Sequence, residues 1–91
     1  MNYYILDYIT SGNYLEERVK YRKEHLNHAT EYFNEGYLIL GGAIDAANEA
    51  VMVFKADSDK IVEAFAQNDP YVKNGLITSW SVKKWNVVIG E

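Results

Sequence analysis

The first segment of the chain, residues 2–10, has the composition of a β-strand because Tyr and Ile dominate it. A strand with one face in water carries polar residues on that face. Here both faces are mainly apolar, which predicts that both are covered. The faces carry Tyr4, Leu6 and Tyr8 on one side and Tyr3, Ile5, Asp7 and Ile9 on the other.

The second segment, residues 14–35, has the period of an α-helix. Apolar residues recur there at spacings of three and four, which predicts one stripe facing the core. Asn13 and Glu16 resemble a capping box at its start, and Gly36 stands where a left-handed residue ends a helix. The predicted stripe consists of Leu15, Val19, Leu26, Ala29 and Phe33.

Two strands joined by a short loop follow the helix. Residues 37–44 predict a strand interrupted by Gly41 and Gly42, and a glycine pair indicates a bulge or the close approach of another group. Residues 45–48 predict a hairpin loop, and residues 49–55 predict the returning strand.

The last part of the chain predicts a helix, a short helical turn and a strand. Ser58 or Asp57 caps a helix over residues 59–67. Asp69 then caps a short turn that starts at Pro70, because proline suits the first helical position. Gly75 closes this turn, and residues 76–89 form a long strand. The inward residues of the helix are Ile61, Val62, Phe65 and Ala66.

The order β-α-β-β-α-β predicts a single α+β domain over residues 1–91. With right-handed crossovers it folds most simply as a four-stranded antiparallel sheet with both helices on one face, the ferredoxin-like arrangement. Two helices cover only one face of that sheet, although its strands are apolar on both. A second copy of the chain is the simplest cover, so we predict a homodimer or a higher homo-oligomer.

Composition excludes several kinds of chemistry and partner. The 91 residues include no Cys, which rules out a disulfide, a thiolate nucleophile and a Cys-based metal site. The net charge is −4, with the Lys and Arg residues scattered, so we expect no nucleic-acid partner. No apolar run approaches the about 18 residues of a membrane span, and no signal peptide is recognisable. We therefore expect a cytoplasmic protein that does not bind membranes.

Three short motifs resemble a known family. Residues 22–26 read RKEHL, residues 41–43 read GGA, and residues 68–72 read NDPYV, followed by Gly75 and a strand that contains both tryptophans. In this order they resemble the YciI-like (YCII-related) proteins over nearly the whole chain.

The resemblance implies a ferredoxin-like fold that pairs into a dimeric α+β barrel. It also implies an active site built on His25 of the R-x-x-H motif and Asp69 of the D-P-Y motif. A related protein removes chloride from a chlorinated hydroxyquinone, so the resemblance further implies acid–base chemistry of the lyase, isomerase or dehydrochlorinase type.

His25 and Asp69 are the candidate catalytic residues. Imidazole titrates near neutral pH, so His25 suits a general acid or base, although it can equally be a hydrogen-bonded histidine at the edge of the core. Asp69 can orient His25 and stabilise its charged form, and the same carboxylate can cap the helix that begins at Pro70.

Five further residues are candidates for substrate binding. Arg22, one turn before His25, can bind an anionic group or pair with a surface carboxylate. Tyr71 can donate its hydroxyl to a ligand or belong to the core. Gly41 and Gly42 can let a ligand approach the backbone or form a bulge, and Asp7 can point into a cavity or hydrogen-bond near the strand end.

The spacing of His25 and His28 raises a metal-site alternative with Asp69 or Asp7 as a third ligand. We assign no metal and no cofactor, and expect His28 to face solvent. The main hypothesis is a small cofactor-independent enzyme acting on a small anionic substrate, aromatic or lactone-like. The alternatives are a non-catalytic ligand-binding or regulatory dimer and, by fold analogy, a haem-handling monooxygenase.

Overall fold

The computed structural model describes residues 1–90 and contains four strands, three α-helices and a short 3₁₀ turn at Asp45–Ala47. The strands are β1 (Asn2–Thr10), β2 (Leu38–Ala43), β3 (Glu49–Ala56) and β4 (Ile77–Trp85). The helices are α1 (Tyr14–Asn34), α2 (Asp59–Asn68) and α3 (Pro70–Lys73).

The strands form one antiparallel sheet in the order β2-β3-β1-β4. The first and last strands of the chain therefore pair with each other, and the β2–β3 hairpin lies beside β1. This order confirms the predicted α+β, ferredoxin-like fold.

One face of the sheet carries the core. Tyr4, Leu6 and Tyr8 of β1 are buried on this face together with side chains from α2 and the start of α1. Aromatic rings fill much of the space. Phe54 and Phe65, for example, meet edge to face with their ring centroids 5.1 Å apart. Large rings supply the contact area that a short chain needs.

The other face of the sheet has no helix over it. Glu49 and Lys55 lie toward its two ends, and Asp7 and Lys83 lie between them on the neighbouring strands β1 and β4. Asp7 Oδ2 lies 3.7 Å from Lys83 Nζ across the β1–β4 pair. The apolar residues of this face, which we call the open face, are Tyr3, Ile5, Ile9, Leu40, Val51, Val53 and Trp85.

Helix α1 packs on a different stripe from the one predicted. Leu15, Val19, Leu26 and Phe33 are exposed, with 73% of Val19 in contact with solvent, and only Ala29 of that set packs against the core. The inward stripe lies one residue earlier, and its tyrosine rings pack on the core while its two histidines form hydrogen bonds. It consists of Tyr14, Tyr21, His25, His28 and Tyr32.

The helix ends follow the predicted chemistry with one exception. Ser58 caps α2, and Gly36 ends α1 with a φ of +87°, a backbone conformation that glycine adopts without strain. The expected capping box at Asn13 and Glu16 is wrong, because the Asn13 side chain accepts a hydrogen bond from the Ser11 hydroxyl and caps nothing.

Strand β4 is shorter than predicted. Trp85 pairs with Tyr3 near the beginning of β1, so no neighbouring strand remains for the residues that follow. Pairing, rather than the β-forming character of residues 86–89, sets this boundary.

The glycine pair of β2 shows one of the two features that it predicted, the close approach, because both glycines pair in regular register with β3. The pairing of β2 with β3 shifts between Leu38 and Leu40, which is a bulge. At Gly41 a β-carbon would lie 2.6 Å from Met52 Cγ, whereas at Gly42 it would meet nothing within 4 Å. Gly41 therefore permits a close approach of β2 to the Met52 side chain.

Candidate functional site

Asp69 is fully buried at the junction of α2 and α3. Its position follows from the sequence, since Pro70 starts α3 and places Asp69 at the N-cap. Oδ1 accepts the Tyr71 N–H at 3.0 Å, and Oδ2 accepts the Tyr8 hydroxyl at 2.7 Å. A buried carboxylate needs such donors, because burial without them is costly.

His25 approaches the same carboxylate from α1, with Nδ1 at 2.8 Å from Asp69 Oδ1. An ionised carboxylate only accepts hydrogen bonds, so this contact assigns the donated proton to Nδ1 and leaves Nε2 as the free ring nitrogen. The imidazole stacks on Tyr71, with ring centroids 3.9 Å apart and planes 7° apart. These two contacts fix the position and the orientation of the ring.

Tyr8 completes this cluster from the sheet. Burial, reinforced by the charge of Asp69 and the hydrogen bond to it, raises the pKa of the Tyr8 hydroxyl far above its usual value. The hydroxyl therefore remains a donor to Asp69 throughout the ordinary pH range.

A cavity of about 260 Å³ opens beside His25, between α1 and the β2–β3 edge of the sheet. This volume is slightly below the about 300–1,000 Å³ of sites for drug-sized ligands, so it suits a single-ring molecule better than a porphyrin. Its polar lining comes from Tyr8, Tyr14, Arg18, Arg22, His25 and Tyr71.

The structure brings most of the candidate residues together. His25, Arg22, Tyr71, Gly41 and Gly42 all line this cavity. Asp69 lies behind His25 and contacts it directly.

Asp7 is not part of this group. Side chains alternate along a strand, so Asp7 points to the open face while its neighbour Tyr8 points to the cavity. The expectation that Asp7 belongs to the substrate site is not supported by this placement.

His28 is not solvent-facing as expected. Its Nε2 lies 2.8 Å from the Phe65 carbonyl oxygen, and its ring lies against Phe65 at 4.6 Å. His25 and His28 thus have separate partners. Within residues 1–90, no group of three His, Asp or Glu side chains is arranged to hold a metal ion.

Sequence reasoning missed Tyr8, Tyr14 and Arg18. Tyr8 appeared only as one more apolar residue of β1. The spacing of Tyr14, Arg18, Arg22 and His25 carried the available signal, because steps of three and four place all of them along one side of α1.

Solved structures with the same fold come from several bacteria. The 5-chloro-2-hydroxyhydroquinone dehydrochlorinase of Burkholderia phenoliruptrix, in complex with 2,5-dihydroxybenzoquinone, superposes with a TM-score of 0.77 at 20% identity, over 92% of this chain and 93% of that one. A NIPSNAP domain protein of Burkholderia xenovorans gives a TM-score of 0.57 at 19% identity, over 97% and 95% of the two chains. At these identities the likeness concerns the fold.

Two sequence comparisons identify the family. The derivative of benzaldehyde biosynthesis cluster protein C of Emericella nidulans is 32% identical over 70% of this chain and 76% of that protein. Within residues 1–90, no helix is long and apolar enough to span a bilayer.

The sequence model of the YCII-related domain matches residues 1–86, and the chain therefore belongs to the YCII-related domain family.

Proposed function

We propose that the protein is a small cofactor-independent enzyme that uses His25 and Asp69 for acid–base chemistry on a small anionic substrate, aromatic or lactone-like. One observation carries the proposal: His25 lines the cavity while its Nδ1 contacts the buried Asp69 at 2.8 Å. A base at a cavity wall, oriented by a carboxylate behind it, is the arrangement that proton transfer to a ligand requires.

In the proposed reaction, Nε2 of neutral His25 takes a proton from an acidic position of the bound molecule. The imidazolium that forms is stabilised by the Asp69 carboxylate. In one outcome the electron pair left on the substrate moves within the molecule, and His25 returns the proton to another of its atoms. In the other outcome the electron pair expels a leaving group as an anion, and His25 releases its proton to water. The first outcome is an isomerisation and the second an elimination. Arg22 holds the anionic group of the substrate.

The comparisons support this class of substrate. The dehydrochlorinase with the same fold was solved with a dihydroxybenzoquinone, a single-ring molecule. The fungal relative belongs to a cluster that makes a benzaldehyde derivative. Both names favour small ring compounds, and the volume of the cavity agrees with that class.

Variants of the two histidines test the proposal. A panel of small phenolic, quinone and lactone acids is screened for product and for a rise in melting temperature. We expect His25→Ala to lower turnover by about 10²- to 10⁴-fold, the usual contribution of a general acid or base. The control is His28→Gln, which alters the histidine that contacts the Phe65 carbonyl, and it should retain turnover even if its melting temperature falls.

The same screen covers the non-catalytic alternative. A ligand that raises the melting temperature without yielding product would favour a binding module. Turnover that is unchanged in His25→Ala would contradict the acid–base mechanism.

We also propose that two copies of the chain pair through the open face. Its apolar residues have no cover within residues 1–90, and a face of this kind marks an interface. A second copy is the partner that suits this face. In a twofold arrangement each copy places its own apolar open face on that of the other, so one contact covers both.

A further inference from the structure

Arg18 and Arg22 place two guanidinium groups at one cavity. They are four residues apart on α1 and thus neighbours on the helix surface, and both line the cavity beside His25. Arg18 is half-buried, with its guanidinium carbon 5.5 Å from the centroid of the Tyr14 ring. Like charges four residues apart on a helix repel each other, and an anion bound between them would offset this repulsion.

Within residues 1–90, no side chain supplies such an anion. The cavity lining includes neither Asp nor Glu, and in the described part of the chain neither arginine forms a salt bridge. Lys20, on the same helix, pairs with Glu17 at 3.1 Å. Asp69 is the buried acid behind the cavity, and its oxygens already accept hydrogen bonds from Tyr8, His25 and the Tyr71 N–H.

The wall next to the arginines is aromatic. Tyr14 meets Tyr71 edge to face at 5.6 Å, and Tyr71 stacks on the His25 ring. Burial raises the pKa of the Tyr71 hydroxyl, while the positive charges of Arg22 and Arg18 act in the opposite direction, so both guanidiniums influence this part of the cavity. A flat ring fits against such a wall, and an acidic substituent fits against the arginines.

We propose that Arg18 and Arg22 form a carboxylate-binding subsite, and that the substrate is a small aromatic acid held there by its carboxylate. Guanidinium groups match a carboxylate through paired hydrogen bonds. With a rise of about 1.5 Å per residue, Arg22 and Arg18 lie about 4.5 and 10.5 Å before His25 along the axis of α1. A single ring bridges this span and brings another of its positions to His25. Only the identification of this ligand as substrate rests on the proposed function.

Binding by calorimetry tests the subsite without any turnover. The probes are benzoate, 4-hydroxybenzoate and 2,5-dihydroxybenzoate, each compared with its neutral amide. We expect at least one acid to bind the wild-type protein about tenfold more tightly than its amide. Arg18→Gln and Arg22→Gln should each weaken binding of that acid by about tenfold and leave binding of the amide unchanged.

Lys23→Gln is the matched control, because Lys23 is exposed on the same helix and does not line the cavity. It removes the same charge and should change the affinity by less than about twofold. Equal binding of acids and amides, an effect of Lys23→Gln as large as that of Arg18→Gln, or saturation by none of the acids at millimolar concentration would each overturn the subsite.

The His25→Ala variant separates the two proposals. It should retain the preference for the acid, because His25 is not part of the subsite. A preference for acids in a protein that turns none of them over would sustain the subsite and contradict the proposed function. Turnover of anionic phenols or quinones that carry no carboxylate, without any preference for the acids over their amides, would do the reverse.

Discussion

Asp69 caps a helix and orients a histidine with the same oxygen. Oδ1 contacts both the Tyr71 N–H and His25 Nδ1, and Oδ2 contacts Tyr8. Because α3 begins at the next residue, the backbone fixes where the carboxylate lies before His25 reaches it. The capping and the orienting interpretations of Asp69 are therefore compatible in one geometry.

Removing the Tyr8 hydroxyl tests how strongly this carboxylate depends on its donors. Tyr8→Phe leaves Oδ2 buried without the 2.7 Å hydrogen bond, and hydrogen bonds to charged groups contribute about 1.5–3 kcal/mol. We expect the free energy of unfolding at pH 7 to fall by about that amount in urea titrations. Tyr4→Phe, a buried tyrosine on the same face of β1, is the control and should change it by less. Equal effects would contradict a specific bond to Asp69.

The raised pKa of Tyr8 predicts a dependence of stability on alkaline pH. Burial is the main cause of the rise. Above about pH 10 the unfolded chain releases the Tyr8 proton while the folded chain keeps it. The stabilising contribution is therefore complete below pH 10, and stability falls by about 1.4 kcal/mol per pH unit above it. Between about pH 10 and 11.5, Tyr8→Phe should lose stability less steeply than the wild type, and parallel slopes would contradict this.

At the scale of elements, α1 shows what the sequence pattern could and could not predict. Two stripes with the same spacing run along it, one through Leu15, Val19 and Leu26 and the other through Tyr14, His25 and Tyr32. Counting apolar residues favours the first. The structure turns the second toward the core, because tyrosine and histidine carry an apolar ring that packs as well as a polar tip. Periodicity predicted the helix and its length, but it did not predict which side of the helix faces the core.

The same limit applies to the site. The D-P-Y turn and the R-x-x-H motif pointed to His25 and Asp69, since local capping rules and the family resemblance both apply within a few residues. The contact of Tyr8 with Asp69 joins residues 61 positions apart in the sequence. Such a contact depends on strand register and helix placement, which no local pattern encodes.

The close approach at Gly41 makes β2 sensitive to one methyl group. Gly41→Ala would place a β-carbon 2.6 Å from Met52 Cγ, and overpacking of this kind costs about 1–3 kcal/mol. We expect the free energy of unfolding to fall by an amount near the lower end of this range, because the methionine side chain can adjust its conformation. Gly42→Ala, which meets nothing within 4 Å, should change the free energy of unfolding little, and thermal or urea unfolding compares the two. Equal losses would contradict a specific contact with Met52.

At the scale of the whole molecule, the open face and the exposed stripe of α1 compete as interfaces. The open face joins apolar residues from all four strands, and the α1 stripe consists of apolar residues along one helix. We predicted that both faces of the sheet need a cover, and the helices cover only one of them. The proposed dimer places the second copy on the open face and leaves the α1 stripe free.

Two substitutions of the same kind distinguish these surfaces. Val53→Asp puts a charge in the middle of the open face, and Val19→Asp puts one on the stripe of α1. We expect the mass from light scattering to be halved in Val53→Asp and unchanged in Val19→Asp. A tenfold rise in concentration adds about 1.4 kcal/mol per dimer, so the melting temperature of the wild type should rise by about 3–5 °C, and that of Val53→Asp should stay constant. A monomeric wild type would contradict pairing through the open face, and so would dissociation by Val19→Asp alone. The charge introduced at Val53 is expected to cause dissociation only where a partner covers that face.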